Sequence, residues 1–203
     1  MNKYRYLAQS VKYNQNGSKV VLSEKDEELE LIGMGRSAFA FKIKSTNLVL
    51  KVFFPTHTFI VKREAEVYNI LSSNPFYPTM YESGENYLVI DFIEGYTLFN
   101  CLEKGNVIKN KHIIEIDNAL KLAKEKGLNP ADIHLQNILL TNEGKIKLID
   151  VARFQQKGSC LQWAHLKQAY KYYSSTIFPK RIPRVIMNGI SYLYKRKVLH
   201  LFL

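Results

Sequence analysis

The chain has 203 residues, 46% of them apolar and 12% aromatic, which is enough to bury a core in one domain or in a domain of two small lobes and excludes a disordered chain. No run of eighteen apolar residues exists to cross a membrane as a helix, and the opening MNKYRYLAQSVKYNQ lacks the apolar stretch and cleavage site of a secretory signal. The net charge is +11, and it is concentrated at one end: after Asp150 there is no Asp or Glu, while ten Lys or Arg follow. That asymmetry points either to an anionic partner or to a solvated basic face.

Cys101 and Cys160 match no metal spacing and are expected to be free thiols in a reducing cytosol. No internal repeat or low-complexity tract is present. Residues 1–27 are polar, with a turn at Asn16-Gly17 and a short strand expected at Lys19–Leu22. From Glu28 the pattern becomes strand, glycine turn, strand: Leu29–Ile32, then Gly33-Met34-Gly35-Arg36-Ser37-Ala38, then alternation through Ile43. No helix pattern follows the glycines and no Gly-x4-Gly-Lys is present, which excludes a phosphate loop that opens a helix.

Asn47 to Phe54 reads as a buried strand with a single lysine, Lys51, in its middle. A buried ammonium costs several kcal/mol, on the order of a lost ion pair, unless a carboxylate meets it. The next segment, Phe59–Ser72, has helical spacing, with Glu64, Val67, Tyr68 and Leu71 on one face. Glu64 is therefore the expected partner of Lys51, and Glu66, about 200° away around the helix, is the fallback. Two further strands are expected at Thr79–Glu82 and Tyr87–Asp91. A short helix is expected over 97–105 and a longer one over Lys109–Lys126, stopped by Gly127.

The segment Pro130–Arg153 carries the densest chemistry. Ile138–Leu140 and Ile146–Ile149 are short apolar runs joined by Asn142-Glu143-Gly144, the pattern of a β-hairpin. Asn137 enters the first strand and Asp150 leaves the second, so a hairpin brings their oxygens to one end. Two oxygen donors at one point suit a hard cation such as Mg2+. Asp132, just upstream, is placed to act as a base.

Asp132-x4-Asn137 followed by Asp150 at a hairpin end resembles the catalytic and metal-binding segment of the protein-kinase superfamily, and the preceding elements resemble those of small bacterial eukaryotic-like Ser/Thr kinases. The resemblance implies an α+β, two-lobed fold. An N-terminal extension (1–27) would precede an N-lobe (28–92) of antiparallel sheet and one helix, followed by a reduced, mostly helical C-lobe (93–203). It implies ATP and Mg2+ as cofactors. Gly33 and Gly35 would cover the phosphates, with Ala38 and Ala40 where the family has Gly and Val. Lys51 would hold the α- and β-phosphates, positioned by Glu64. The C=O of Asp91 and N–H of Ile93 would bind adenine, with Ile90 gating the back pocket. Asp132 would be the catalytic base, His134 a hydrogen-bond donor to a phosphate, and Asn137 and Asp150 the metal ligands. The acceptor would be a hydroxyl of a protein or a small molecule.

The chain also departs from the family pattern. Pro130-Ala131 stands for His-Arg, and Asp150-Val151-Ala152 for Asp-Phe-Gly. Control through an arginine pocket for a phosphorylated activation loop is therefore not expected. His134 replaces a lysine, as in aminoglycoside-type and lipopolysaccharide-sugar kinases, so a small-molecule kinase is an alternative, and an ATP-binding pseudokinase scaffold a second. No nucleic-acid reading motif is recognised. The expected location is cytoplasmic, peripheral at a membrane if the basic tail meets one. In that tail, Leu161–Tyr173 has helical spacing. Ile182–Leu203 reads either as core packing or as a basic amphipathic helix on an anionic surface.

Overall fold

The computed structural model describes residues 2–16, 19–158 and 160–196. They form two compact units, one reaching Ile93 and one starting at Glu94. The first unit contains α1 (Lys3–Ser10), β1 (Lys12–Asn16), β2 (Lys19–Glu24), β3 (Leu29–Met34), β4 (Ala38–Ile43), β5 (Leu48–Phe53), a 3-10 turn (Pro55–His57), α2 (Phe59–Ile70), β6 (Met80–Ser83) and β7 (Tyr87–Asp91). The second contains β8 (Gly95–Thr97), α3 (Leu98–Lys104), α4 (Asn110–Glu125), β9 (Ile138–Thr141), β10 (Ile146–Leu148), α5 (Gln162–Tyr173) and α6 (Arg184–Lys195). The expected two-lobed α+β class, sheet-rich first and mostly helical second, is the class observed. Both cysteines are free.

In the first unit a five-stranded antiparallel sheet runs β3-β4-β5-β7-β6. Alternation along the strands sorts its two faces. Phe39, Phe41, Ile43, Leu50, Val52 and Val89 share one buried cluster with Leu7, Ala8 and Val11 of the N-terminal segment. Tyr4, Tyr13, Val20 and Leu22 pack against the same cluster, so the N-terminal segment covers this face of the sheet. Asn2 caps α1 by accepting from the Tyr4 N–H at 2.9 Å. The other sheet face carries Ala38, Ala40, Val49, Lys51 and Phe53, the positions between those of the cluster. A sheet covered on both faces reads as near-continuous apolar strands, which is why Leu48–Phe53 shows so little alternation.

In the second unit β9 pairs with β10 on one side and with β8 on the other. The β8 pairing brings Gly95 so close that a Cβ there would stand 2.2 Å from the Leu140 carbonyl oxygen, at a φ of +152°. Only glycine fits. α5 is tied to α4 through Asp117, which accepts from Trp163 Nε1 at 2.7 Å and pairs with Lys167 at 2.9 Å.

The start of α4 holds a pH-sensitive contact. The Lys109 N–H donates to Nδ1 of buried His112 at 3.1 Å, so this ring must be neutral, with its proton on Nε2. Burial pushes the His112 pKa below the usual 6.5, Lys111 and Lys109 push the same way, and Glu115 opposes them. The folded state therefore prefers the neutral ring. The stabilisation is complete above the unfolded pKa and is lost as pH falls from there through the lower folded value. Thermal melts between pH 7.5 and 5 should show stability falling through this range. His112→Gln, which keeps an acceptor without a titrating ring, should flatten that part of the profile.

Candidate functional site

In the first unit the site begins with Lys51. In β5 it sits opposite Ala40 of β4 and Leu88 of β7, so its backbone is held on both sides. Its ammonium donates to both carboxylate oxygens of Glu64, at 2.9 and 2.7 Å, and lies 5.0 Å from the Phe53 ring centroid. Lys51 is 15% exposed and Glu64 not at all. Glu64 occupies the buried stripe of α2 with Val61, Ala65 and Tyr68, whereas Glu66 faces solvent. A carboxylate with no water contact is tolerable only with its charge met, and the two-oxygen contact meets it.

Between β3 and β4 the Gly35 N–H closes a tight turn on the Ala38 carbonyl at 2.9 Å. A Cβ at Gly33 would lie 3.8 Å from the Ala40 Cβ, and one at Gly35 would lie 3.7 Å from the Ala38 oxygen. These are ordinary contacts, and neither glycine has a positive φ. Among the described residues nothing demands glycine at either position. The effect is a strip of bare backbone, which a phosphate can approach closely.

At the end of β7 the Asp91 carboxylate accepts from the Thr79 N–H at 2.7 Å and from the Tyr81 hydroxyl at 2.8 Å. That hydrogen bond raises the Tyr81 pKa above its usual value. The Phe92 N–H donates to the Asn47 carbonyl at 2.8 Å. These bonds fix the backbone just before Ile93.

In the second unit, Ala131 and Ile133 are buried, while Asp132 and His134 are partly exposed. Asp132 has a φ of +62° and Asp150 a φ of +59°. Aspartate is among the few non-glycine residues that visit this left-handed region readily. The Asn137 amide donates from Nδ2 to the Asp132 carbonyl at 3.2 Å, and its N–H donates to the His134 carbonyl at 2.9 Å. Ile138 pairs with Leu148, and the Ile149 N–H donates to the Asn137 carbonyl at 2.9 Å. The hairpin ladder thus extends one residue past its strands, and Asn137 and Asp150 flank the same end. Their amide and carboxylate oxygens are the hard donors that Mg2+ takes.

Two residues that the sequence reading did not place belong to this arrangement. Arg153 Nε lies 3.6 Å from Asp132 Oδ2, while His134 Nε2 lies 3.8 Å from Oδ1. Asp132 therefore has a basic side chain beside each oxygen. Asn129 ties the segment after Asp150 to the segment before Asp132: its side chain donates to the carbonyls of Gln156 at 2.9 Å and Gly158 at 2.7 Å.

A sheet unit with a Lys–Glu pair and a helical unit with this hairpin define a protein-kinase-like phosphotransferase fold. No family model matches the chain. It is 43% identical over 199 residues to the "Putative serine/threonine-protein kinase YrzF" of Bacillus subtilis, covering 97% of this chain and 93% of that protein. The chain belongs to the protein-kinase superfamily, in the family of that Bacillus protein. A "Probable serine/threonine-protein kinase" of Clostridium perfringens is 30% identical over 147 residues, 64% of this chain but 22% of that longer protein. "Atypical protein kinase C" of Drosophila melanogaster is 31% identical over 98 residues, 44% of this chain and 16% of its own length.

Proposed function

We propose that the chain is a cytoplasmic, ATP- and Mg2+-dependent serine/threonine protein kinase. The observation that most supports this is Lys51 fixed on the fully buried Glu64. A lysine so held has its charge and direction set before any phosphate arrives. Lys51 then binds the α- and β-phosphates, and the bare backbone at Gly33 and Gly35 lies against the phosphate chain. The C=O of Asp91 and N–H of Ile93 take adenine. Asn137 and Asp150 hold Mg2+, which supplies neutralisation of phosphate charge.

In the transfer step the acceptor hydroxyl oxygen forms a bond to the γ-phosphorus as the bond from that phosphorus to the β,γ-bridging oxygen breaks. Asp132 takes the hydroxyl proton, and ADP leaves with the bond's electron pair. His134 donates to the transferring phosphate.

A second reading, a kinase of small molecules or sugar lipids, is favoured by His134 standing 3.8 Å from Asp132 where protein kinases carry lysine. Incubation of the purified protein with γ-labelled ATP, Mg2+ and a cell lysate separates the two. Label on serine or threonine of proteins is the expected result, and label in the small-molecule fraction replaces it with the second reading. Transfer to neither fraction overturns both.

A further inference from the structure

The C-terminal part of the second unit has a surface that phosphoryl transfer does not use. α6 is held to its unit on one side: Met187 is buried, Arg184 pairs with Glu103 at 2.8 Å, and Tyr194 Oη lies 2.8 Å from His165 Nδ1. At 100° per residue these three positions span about a quarter of the helix circumference. The remaining arc faces solvent, and it is the apolar one. Val185 is 81% exposed, Ile186 and Ile190 53% each, and Leu193 42%; Tyr192 is also exposed. A helix on a globular surface ordinarily turns its polar side outward. Here the order is reversed, and Ile186, Ile190 and Leu193 form a stripe at i, i+4 and i+7. Ile177, in the turn preceding α6, is 93% exposed.

The sequence that carries this stripe has charge of one sign. From Val151 onward the sequence contains no carboxylate side chain. Lys167 and Arg184 are met by Asp117 and Glu103 of the preceding helices. Among the described residues no carboxylate lies within 4 Å of Lys157, Lys171, Lys180, Arg181 or Arg196. An exposed apolar helix face flanked in sequence by unneutralised cations, Lys180 and Arg181 before it and Arg196 at its end, is what an anionic bilayer accepts: side chains entering the acyl boundary and cations at the headgroups. A second copy of the chain would cover the stripe but would bring like charges together. A nucleic acid would meet the cations but leave the isoleucines in water.

We propose that α6 and the turn before it form a docking surface for an anionic phospholipid membrane. This is independent of the kinase assignment. The face lies flat on the bilayer: among the described residues no helix is long and apolar enough to cross one.

The test is sedimentation of the full chain with vesicles of phosphatidylcholine alone and with one-third phosphatidylglycerol. Binding to the anionic vesicles should exceed binding to the neutral ones at least tenfold, and raising the salt to 0.5 M should remove most of it, because exposed charges are then screened. Val185→Asp with Ile186→Asp should abolish binding. Both positions are exposed and in the first turn of α6, where acidic residues favour a helix, so circular dichroism and the melting curve should be unchanged. As a second variant, Ile190→Ser with Leu193→Ser leaves the charge intact and should weaken binding several-fold. Equal binding to both vesicle types, no binding, or wild-type binding by the acidic variant would overturn the proposal. So would displacement from vesicles by polyglutamate together with indifference to the serine variant, which would mark an acidic protein as the partner. Self-association that disappears in the acidic variant would mark a second copy.

Discussion

Asp132→Asn should lower phosphoryl transfer by roughly 10²–10⁴-fold, the range for loss of a general base, while the protein stays folded. The substitution isolates the chemistry unusually well. Asparagine tolerates the left-handed backbone at φ +62° as readily as aspartate does, so no strain is introduced. It leaves the Asp132 carbonyl, which accepts from the Asn137 side chain, untouched. What disappears is the negative charge between Arg153 and His134 and its capacity to take a proton. Turnover with labelled ATP and the substrate fraction identified above gives the rate, and circular dichroism gives the fold. Unchanged turnover would remove Asp132 from the reaction.

The second large effect is expected at Lys51, where stability and activity can be pulled apart. Lys51→Met strands a carboxylate that has no exposure to water. Breaking such a pair from one side costs about 3–5 kcal/mol. In a chain of this size that lowers the melting temperature by on the order of 10 °C. Adding Glu64→Gln removes the stranded charge, so the double variant should regain most of the lost stability. Neither variant should transfer phosphate, because the ammonium proposed to meet the nucleotide is absent from both. A double variant that recovers its melting temperature and also turns over ATP would show that Lys51 serves only to neutralise Glu64.

Much of this arrangement was legible because it rests on local patterns. A charged residue inside an apolar strand announced Lys51, and helical spacing placed Glu64 rather than Glu66 on the inward face. The glycine turn and the hairpin from Ile138 to Leu148 followed from turn chemistry and short apolar runs. What was not legible depends on contacts between distant segments. Gly95–Thr97 joins β9 as a third strand only because Gly95 lets two backbones approach, and a three-residue strand leaves no periodic trace. Arg153 read as one more basic residue of the tail, since its approach to Asp132 is set by the chain path after Asp150. Helix α1 did carry a signal: Tyr4, Leu7, Ala8 and Val11 have the spacing of a buried face, hidden among Lys, Arg, Gln and Ser. In the tail, apolar residues at helical spacing read first as core packing and second as a surface stripe, and only the folded helix showed that most of them on α6 face outward.

The packing of α1 bears on how the protein is handled by the cell's proteases and chaperones. A chain beginning at Glu28 retains every residue assigned to nucleotide and metal, yet it lacks Leu7, Ala8 and Val11, which stand over Phe39, Phe41, Leu50 and Val52. Those aromatic and branched side chains would then form a continuous wet apolar sheet face, the kind of surface on which sheets stack and aggregate. Trimming at the N-terminus would therefore remove the protein from solution without touching its chemistry.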